Sequence, residues 1–118
     1  MFRIFSRFKR NKKCSNNRGI ANLKQIIYEE LLEKVKTGAI LLDVRTKQEF
    51  NEGHLNGAIV IPYYDISKNI KNIVQNKEQE IIVYCKSGGR GITAVQILNK
   101  LGYMNVWNLK DGMDGINS

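Results

Sequence analysis

Short apolar runs alternate with segments of helical periodicity along most of this chain, and this alternation limits the fold more than any other feature. The runs lie at residues 39–42, 58–61, 80–84 and 105–107, and they are short and apolar enough for buried strands. Strands that alternate with helices predict a parallel sheet with helices on both faces. We therefore predict a single α/β domain with a parallel sheet of about five strands, one of them a short strand near Ile20.

Capping signals and glycines predict where the helices begin and end. The first helix is expected to start after an N-cap at Asn22 and to stop at Gly38. The evidence for this helix is a set of apolar residues spaced four apart, namely Leu23, Ile27, Leu31 and Val35. Thr46 and Glu49 have the spacing of a capping box for a short helix that ends near Gly53. Two further helices are predicted at residues 67–75 and 92–101.

A cysteine lies in a glycine-rich, cationic loop directly after the predicted strand at residues 80–84. The loop consists of Cys85, Lys86, Ser87, Gly88, Gly89 and Arg90. The paired glycines allow the backbone to turn successive N–H groups inward, and a helix predicted to begin near Gly91 adds the positive end of its dipole. Lys86 and Arg90 add positive charge suited to an oxyanion. These features favour the thiolate of Cys85, so the pattern indicates a nucleophile rather than a core cysteine.

Four sequence blocks follow one another along the chain in a recognisable order. They are Leu-Leu-Asp-Val-Arg at residues 41–45 with the Glu-Phe pair at 49–50, the segment from Gly-His-Leu to Ile-Pro at 53–62, the cysteine loop at 83–90, and Leu-Gly-Tyr-Met-Asn-Val-Trp-Asn-Leu at 101–109. In these blocks the chain resembles the rhodanese-like sulfurtransferases. The resemblance runs from about Ile20 to Gly112.

The resemblance implies that the chain is a thiosulfate sulfurtransferase. Cys85 would then take the outer sulfur of a donor such as thiosulfate as a persulfide and pass it to cyanide, a thiol or a protein thiol. It further implies that the donor is bound by the rest of the loop, Lys86, Ser87, Gly88, Gly89 and Arg90. Asp43 and Arg45 match family positions that hold loops together rather than react.

Other functions stay open at this point. Phosphatases and arsenate reductases with this style of loop place five residues between cysteine and arginine, whereas four lie between Cys85 and Arg90, a length suited to a persulfide. A second alternative is a sulfur carrier that relays persulfide between two enzymes. The third is a non-catalytic rhodanese-like module whose loop binds a partner, which the intact cysteine disfavours.

Two places depart from the family pattern. Gly91 stands where the family usually has a serine, which removes a hydroxyl near the end of the loop. Residues 110–113, Lys-Asp-Gly-Met, replace a usual Gly-Gly pair. We expect these differences to affect acceptor docking and the end of the fold rather than the nucleophile.

The net charge of +8 is concentrated at the N-terminus. Residues 1–18 hold seven of the 19 basic residues and none of the 11 acidic ones, so residues 19–118 carry only +1. We therefore predict a basic tail at residues 1–18 and a rhodanese-like domain at residues 19–118. Residues 1–13 mix aromatic and basic side chains, a composition that can contact an anionic membrane surface, although an unstructured arm is the simpler interpretation. Seven basic residues in a tail are not enough to indicate nucleic-acid binding, so we predict no nucleic-acid partner.

The two cysteines and the single histidine form no metal or disulfide pattern. Cys14 lies in the polar N-terminal stretch, where an incidental thiol is a simpler interpretation than a role in sulfur relay. His54 follows a glycine in a predicted loop and is expected to bond to the backbone rather than to act as a base or ligand. We therefore predict no metal, no cofactor and a reducing, cytoplasmic location that keeps Cys85 reactive. No apolar run is long enough for a membrane span or a signal peptide.

Overall fold

The computed structural model describes residues 23–116. The strands of this part are β1 (Gln25–Ile26), β2 (Ile40–Asp43), β3 (Ile59–Val60), β4 (Ile81–Tyr84) and β5 (Val106–Leu109). The helices are α1 (Tyr28–Lys36), α2 (Lys47–Glu52), α3 (Ile66–Ile73), α4 (Gly89–Lys100) and α5 (Gly112–Ile116). A 3-10 turn at Tyr63–Asp65 leads into α3. The predicted alternation of strands and helices is confirmed.

The strands form one five-stranded sheet in the order β1-β5-β4-β2-β3. All four neighbouring pairs are parallel, which confirms the predicted α/β fold with its parallel sheet. β4 is the middle strand, paired with β2 on one side and β5 on the other. Because Cys85 directly follows β4, it lies at the carboxyl edge in the centre of the sheet, where sheets of this type bind ligands.

Alternate residues of β4 divide the core into two layers, as the pleat of a strand requires. Ile81 and Val83 belong to one buried cluster together with Cys85 and apolar side chains of α3 and α4. Ile82 and Tyr84 belong to the other, which α1 and α5 cover. Helices therefore cover both faces of the sheet, and the side chain of Cys85 points towards the layer of α3 and α4.

The prediction that a helix starts after Asn22 and includes residues 23–27 is wrong. Asn22 and Ile20 lie outside the described residues, and the fifth strand of the sheet is Gln25–Ile26, which pairs with β5. The Asn108 N–H donates to the carbonyl oxygen of Lys24 at 2.8 Å. Ile26 is buried in the core, whereas Ile27, one of the four residues whose spacing predicted the helix, is 52% exposed. Pairing at the sheet edge overrides the apolar spacing that predicted a longer helix.

Local capping signals place the other helix starts more accurately. The predicted capping box is present: the Glu49 N–H donates to Thr46 Oγ1 at 3.1 Å, and the Thr46 N–H donates to Glu49 Oε1 at 3.1 Å. Helix α4 begins at Gly89, two to three residues earlier than predicted, after Gly88 at a φ of 109°. None of the helices within residues 23–116 is long and apolar enough to cross a membrane.

Candidate active site

Cys85 lies almost fully buried at the end of β4, with 1% of its surface exposed. Its Sγ accepts hydrogen bonds from the backbone N–H groups of Gly88, at 3.0 Å, and Gly91, at 3.3 Å. Gly88 reaches this position because its φ of 109° turns the chain back over the sulfur, a conformation that favours glycine. The structure thus brings the predicted cysteine and the predicted loop amides together.

Gly91 is a site residue that the sequence prediction did not select. It lies in the first turn of α4, where backbone N–H groups have no partner within the helix. Its N–H points at Cys85 Sγ instead, so the positive end of the helix faces the sulfur. The predicted loop residues Ser87 and Gly89 are exposed.

The C-terminal segment holds the cysteine loop from behind. The N–H groups of Met113 and Asp114, in α5, donate to the carbonyl oxygens of Cys85 and Lys86 at 3.0 and 2.8 Å. Gly112 has a φ of 58°, and a β-carbon there would lie 2.5 Å from the Cys85 oxygen. Since α5 binds the loop carbonyls, the loop can keep its N–H groups directed at the sulfur. Gly112, which allows this close contact, belongs to the segment at residues 110–113 that departs from the family pattern.

Both cations of the loop are paired with acids from other elements. Lys86 Nζ lies 3.1 Å from Asp114 Oδ1, with the two side chains 62% and 53% exposed. Arg90 donates to both oxygens of Glu49, at 2.7 and 3.1 Å. The hydrogen bond from Arg90 lowers the pKa of Glu49 to about 2. The same bond raises the pKa of Arg90, and a negative charge on Cys85 acts in the same direction. The sequence prediction included neither acid, because Glu49 and Asp114 lie far from the loop in sequence.

Asp43 and Arg45 connect the end of β2 to the neighbouring loop. Arg45 donates to both carboxylate oxygens of Asp43, at 2.7 to 3.2 Å, and to the carbonyl oxygen of Gly53 at 2.7 Å. The hydroxyl of Tyr84 donates to Asp43 at 2.8 Å and accepts from the Leu55 N–H at 3.0 Å. Burial raises the pKa of Tyr84, so this hydroxyl stays a donor. The network agrees with the interpretation of Asp43 and Arg45 as residues that hold loops.

Asn108 explains why position 91 is a glycine. Asn108 is fully buried in β5, and its Nδ2 donates to Gln25 Oε1 at 3.1 Å. A β-carbon on Gly91 would overlap Asn108 Oδ1 and lie 3.0 Å from Cγ. Asn108 was not predicted as a site residue, although a polar residue within a buried strand was a signal that could have found it.

His54 has the backbone partner that was expected from the sequence. Its Nδ1 donates to the carbonyl oxygen of Phe50 at 2.9 Å, and its ring stacks on the Phe50 ring at a centroid distance of 3.7 Å. The His54 side chain is exposed, and its contacts with Phe50 stabilise the turn after α2. Cys14 lies outside the described residues.

The fold and this loop define a class of protein: a parallel α/β domain with a buried cysteine at the carboxyl end of its central strand, under backbone N–H groups. A family model described as the rhodanese-like domain matches residues 28–118, and the chain belongs to that family. The family that the sequence motifs resembled is thereby confirmed.

Individual relatives agree with this family. The chain is 36% identical over 73 residues to thiosulfate sulfurtransferase PspE of Escherichia coli, covering 59% of this chain and 70% of the relative. It is 29% identical over 112 residues to the putative sulfur carrier protein YrkF of Bacillus subtilis, covering 93% of this chain but only 60% of that protein. The solution structure of the rhodanese-like domain of an Anabaena protein superimposes with a TM-score of 0.72 at 26% identity, covering 79% of this chain and 72% of that one.

Proposed function

We propose that the chain is a sulfurtransferase that carries a sulfane sulfur as a persulfide on Cys85. The observation that carries this proposal is the pair of N–H groups, of Gly88 and Gly91, that point at Cys85 Sγ. Fixed donors around a buried sulfur stabilise negative charge that develops there, and they need no reorganisation during the reaction. The name of the E. coli relative, a thiosulfate sulfurtransferase, supports thiosulfate as a donor to test.

The first half of the reaction loads the cysteine. The thiolate of Cys85 attacks the outer sulfur of thiosulfate and forms a new S–S bond. The original S–S bond breaks, and its electron pair leaves with sulfite. The donor's oxyanion end lies towards the cations of the loop, Lys86 and Arg90, with the exposed residues Ser87 and Gly89 between them.

The second half of the reaction removes the terminal sulfur from Cys85. Cyanide or a thiolate attacks the terminal sulfur of the persulfide, the S–S bond to Cys85 breaks, and the thiolate of Cys85 is regenerated. While the sulfur is bound, its negative charge lies near the N–H groups of Gly88 and Gly91. This sequence predicts a covalent intermediate and ping-pong kinetics.

Intact-protein mass spectrometry tests the proposal directly. The full chain is treated with thiosulfate without reductant, beside the variant Cys85→Ser. We expect the wild-type mass to increase by one sulfur atom, the increase to vanish on addition of cyanide, and the variant to gain nothing. Since Cys14 remains in the variant, it also serves as the control for sulfur bound elsewhere. A folded wild-type protein that gains no sulfur would contradict thiosulfate as its donor.

A sulfur carrier is the second candidate, because a relative that matches 93% of this chain is named a putative sulfur carrier protein. A carrier would form the same persulfide on Cys85 but pass it to a protein thiol much faster than to cyanide. The rate of sulfur loss from the loaded protein to cyanide, compared with its loss to a thiol, separates the two candidates.

A further inference from the structure

Glu49 is a negative charge fixed beside the cysteine loop. Its carboxylate binds Arg90 through both oxygens, at 2.7 and 3.1 Å. It is also held by Thr46, whose N–H and hydroxyl donate to Oε1 at 3.1 and 3.2 Å. The helix cap thus holds the carboxylate in place independently of the ion pair. A donor that approaches Arg90 meets Glu49 at the same place.

The other acid near the loop is held less firmly. Asp114 and Lys86 are both more than half exposed, at 53% and 62%, so solvent and salt weaken their interaction. Glu49 and Arg90 are only 28% and 33% exposed. The charge of Glu49 therefore acts on the site more strongly than the charge of Asp114.

We propose that Glu49 determines which donors the site prefers by their charge. It disfavours dianions relative to donors with a single negative charge. This inference rests on the proposed function and deepens it by naming a donor class. The Glu49 carboxylate cancels much of the attraction that Arg90 would exert on an anion. Because the Coulomb energy is proportional to the donor's charge, the same carboxylate opposes a dianion twice as strongly as a monoanion.

Two small donors with the same sulfur–sulfur linkage separate charge from chemistry. Thiosulfate is a dianion, and methanethiosulfonate is a monoanion in which a methyl group replaces one oxygen. In both cases the thiolate of Cys85 takes the outer sulfur and the S–S bond breaks. The electron pair leaves with sulfite from the first donor and with methanesulfinate from the second. With cyanide as the common acceptor, any difference between them arises at donor binding and loading.

The variant Glu49→Gln removes the charge while keeping a side chain that suits the third position of a capping box. We expect its kcat/KM to rise about fivefold for thiosulfate and about twofold for methanethiosulfonate, the first being near the square of the second. The change should appear mainly in KM, and it should shrink at high salt. A damaged fold would lower the activity with both donors instead.

The matched control is Glu33→Gln. Glu33 pairs with Lys36 on α1 at 3.5 Å, with both side chains more than 70% exposed, at 74% and 72%. This variant changes the net charge by the same amount as Glu49→Gln. Because the charge that it removes belongs to an exposed pair on α1 and not to the partner of Arg90, it should leave the ratio of the two donors unchanged.

Three results would overturn the inference. One is an unchanged donor ratio in Glu49→Gln, and another is an equal change in Glu33→Gln. The third is slower reaction of Glu49→Gln with both donors, which would indicate a structural role alone. If wild-type Cys85 forms no persulfide with either donor, the proposed function fails and this inference with it. Persulfide formation by the wild-type protein therefore shows which of the two has failed.

Discussion

Asn108 leaves no room for a β-carbon at position 91, beneath the cysteine loop. We expect Gly91→Ala to lower the free energy of unfolding by about 2 kcal/mol, the usual cost of overpacking a closed core. Asn108→Ala removes the atoms that the new β-carbon would meet. Gly91→Ala should therefore cost at least about 1 kcal/mol less in the Asn108→Ala background than in the wild type, because alanine otherwise suits a helix better than glycine. Urea unfolding of the four proteins measures this coupling.

Gly89→Ala is the control for this cycle. Gly89 begins the same helix, but a β-carbon there would meet nothing within 4 Å. We expect it to be nearly neutral with or without Asn108→Ala. Strictly additive effects of Gly91→Ala and Asn108→Ala would show that the two residues do not compete for space.

The residues of the site were only partly predictable from the sequence. Cys85 and Gly88 could be identified because the loop that joins them is contiguous, and its composition alone indicates inward N–H groups. Glu49 could not, because it reaches the loop from α2. Asn108 reaches the loop from β5, and its only signal in the sequence was a polar residue within a buried strand. Acids that are distant in sequence pair with both cations of the loop. A count of the cations near Cys85 in the sequence therefore overestimates the positive charge of the site.

Among the elements, α5 has the clearest effect on the cysteine loop, since its N–H groups bind the loop carbonyls. Gly112→Ala would place a β-carbon 2.5 Å from the Cys85 oxygen and 2.6 Å from the Lys86 carbonyl. We expect this variant to be about 2 kcal/mol less stable than the control below, because α5 must move away from the loop. Hydrogen exchange at the Met113 and Asp114 amides should become at least about tenfold faster.

Gly57→Ala is the control for backbone strain. Gly57 also has a positive φ, 85°, but a β-carbon there would meet nothing within 4 Å. It therefore measures the cost of the left-handed conformation by itself, about 1 kcal/mol or more. If Gly112→Ala and Gly57→Ala lower the free energy of unfolding by the same amount, the contact of α5 with the loop does not contribute to stability.

Elements with a strong local signal were predicted well, and the sheet edge was not. The Thr46–Glu49 capping box places the start of α2 because both partners lie within one turn. Strand β1 is only two residues long, too short for an alternating pattern. Its position depends on pairing with β5, at the other end of the described chain, which no local window contains.

For the whole molecule, we propose that the basic segment at residues 1–18 is separate from the domain in stability as well as in charge. Residues 19–118 carry a net charge of only +1. Deletion of residues 1–18 should leave the Tm within about 2 °C of the full chain, since terminal segments that join no core contribute little stability. Persulfide loading should also be unchanged. Thermal unfolding and mass spectrometry of both proteins measure this, and a clear drop in either would place the segment within the folded domain.

The architecture of the whole molecule was the most predictable level. Four apolar runs, each separated by a helical segment, leave few alternatives to a covered parallel sheet. The order of strands within that sheet was not predicted from the runs, because any pairing of buried strands satisfies the same pattern.

The burial of Cys85 has a consequence for the lifetime of the protein. The thiol of Cys85 is only 1% exposed, although it is the group that the proposed reaction uses. Oxidants such as peroxide attack thiols that they can reach. Between turnovers of the proposed reaction, burial would therefore shield the free thiol from irreversible oxidation, so that the protein's own fold would protect the residue on which its activity depends.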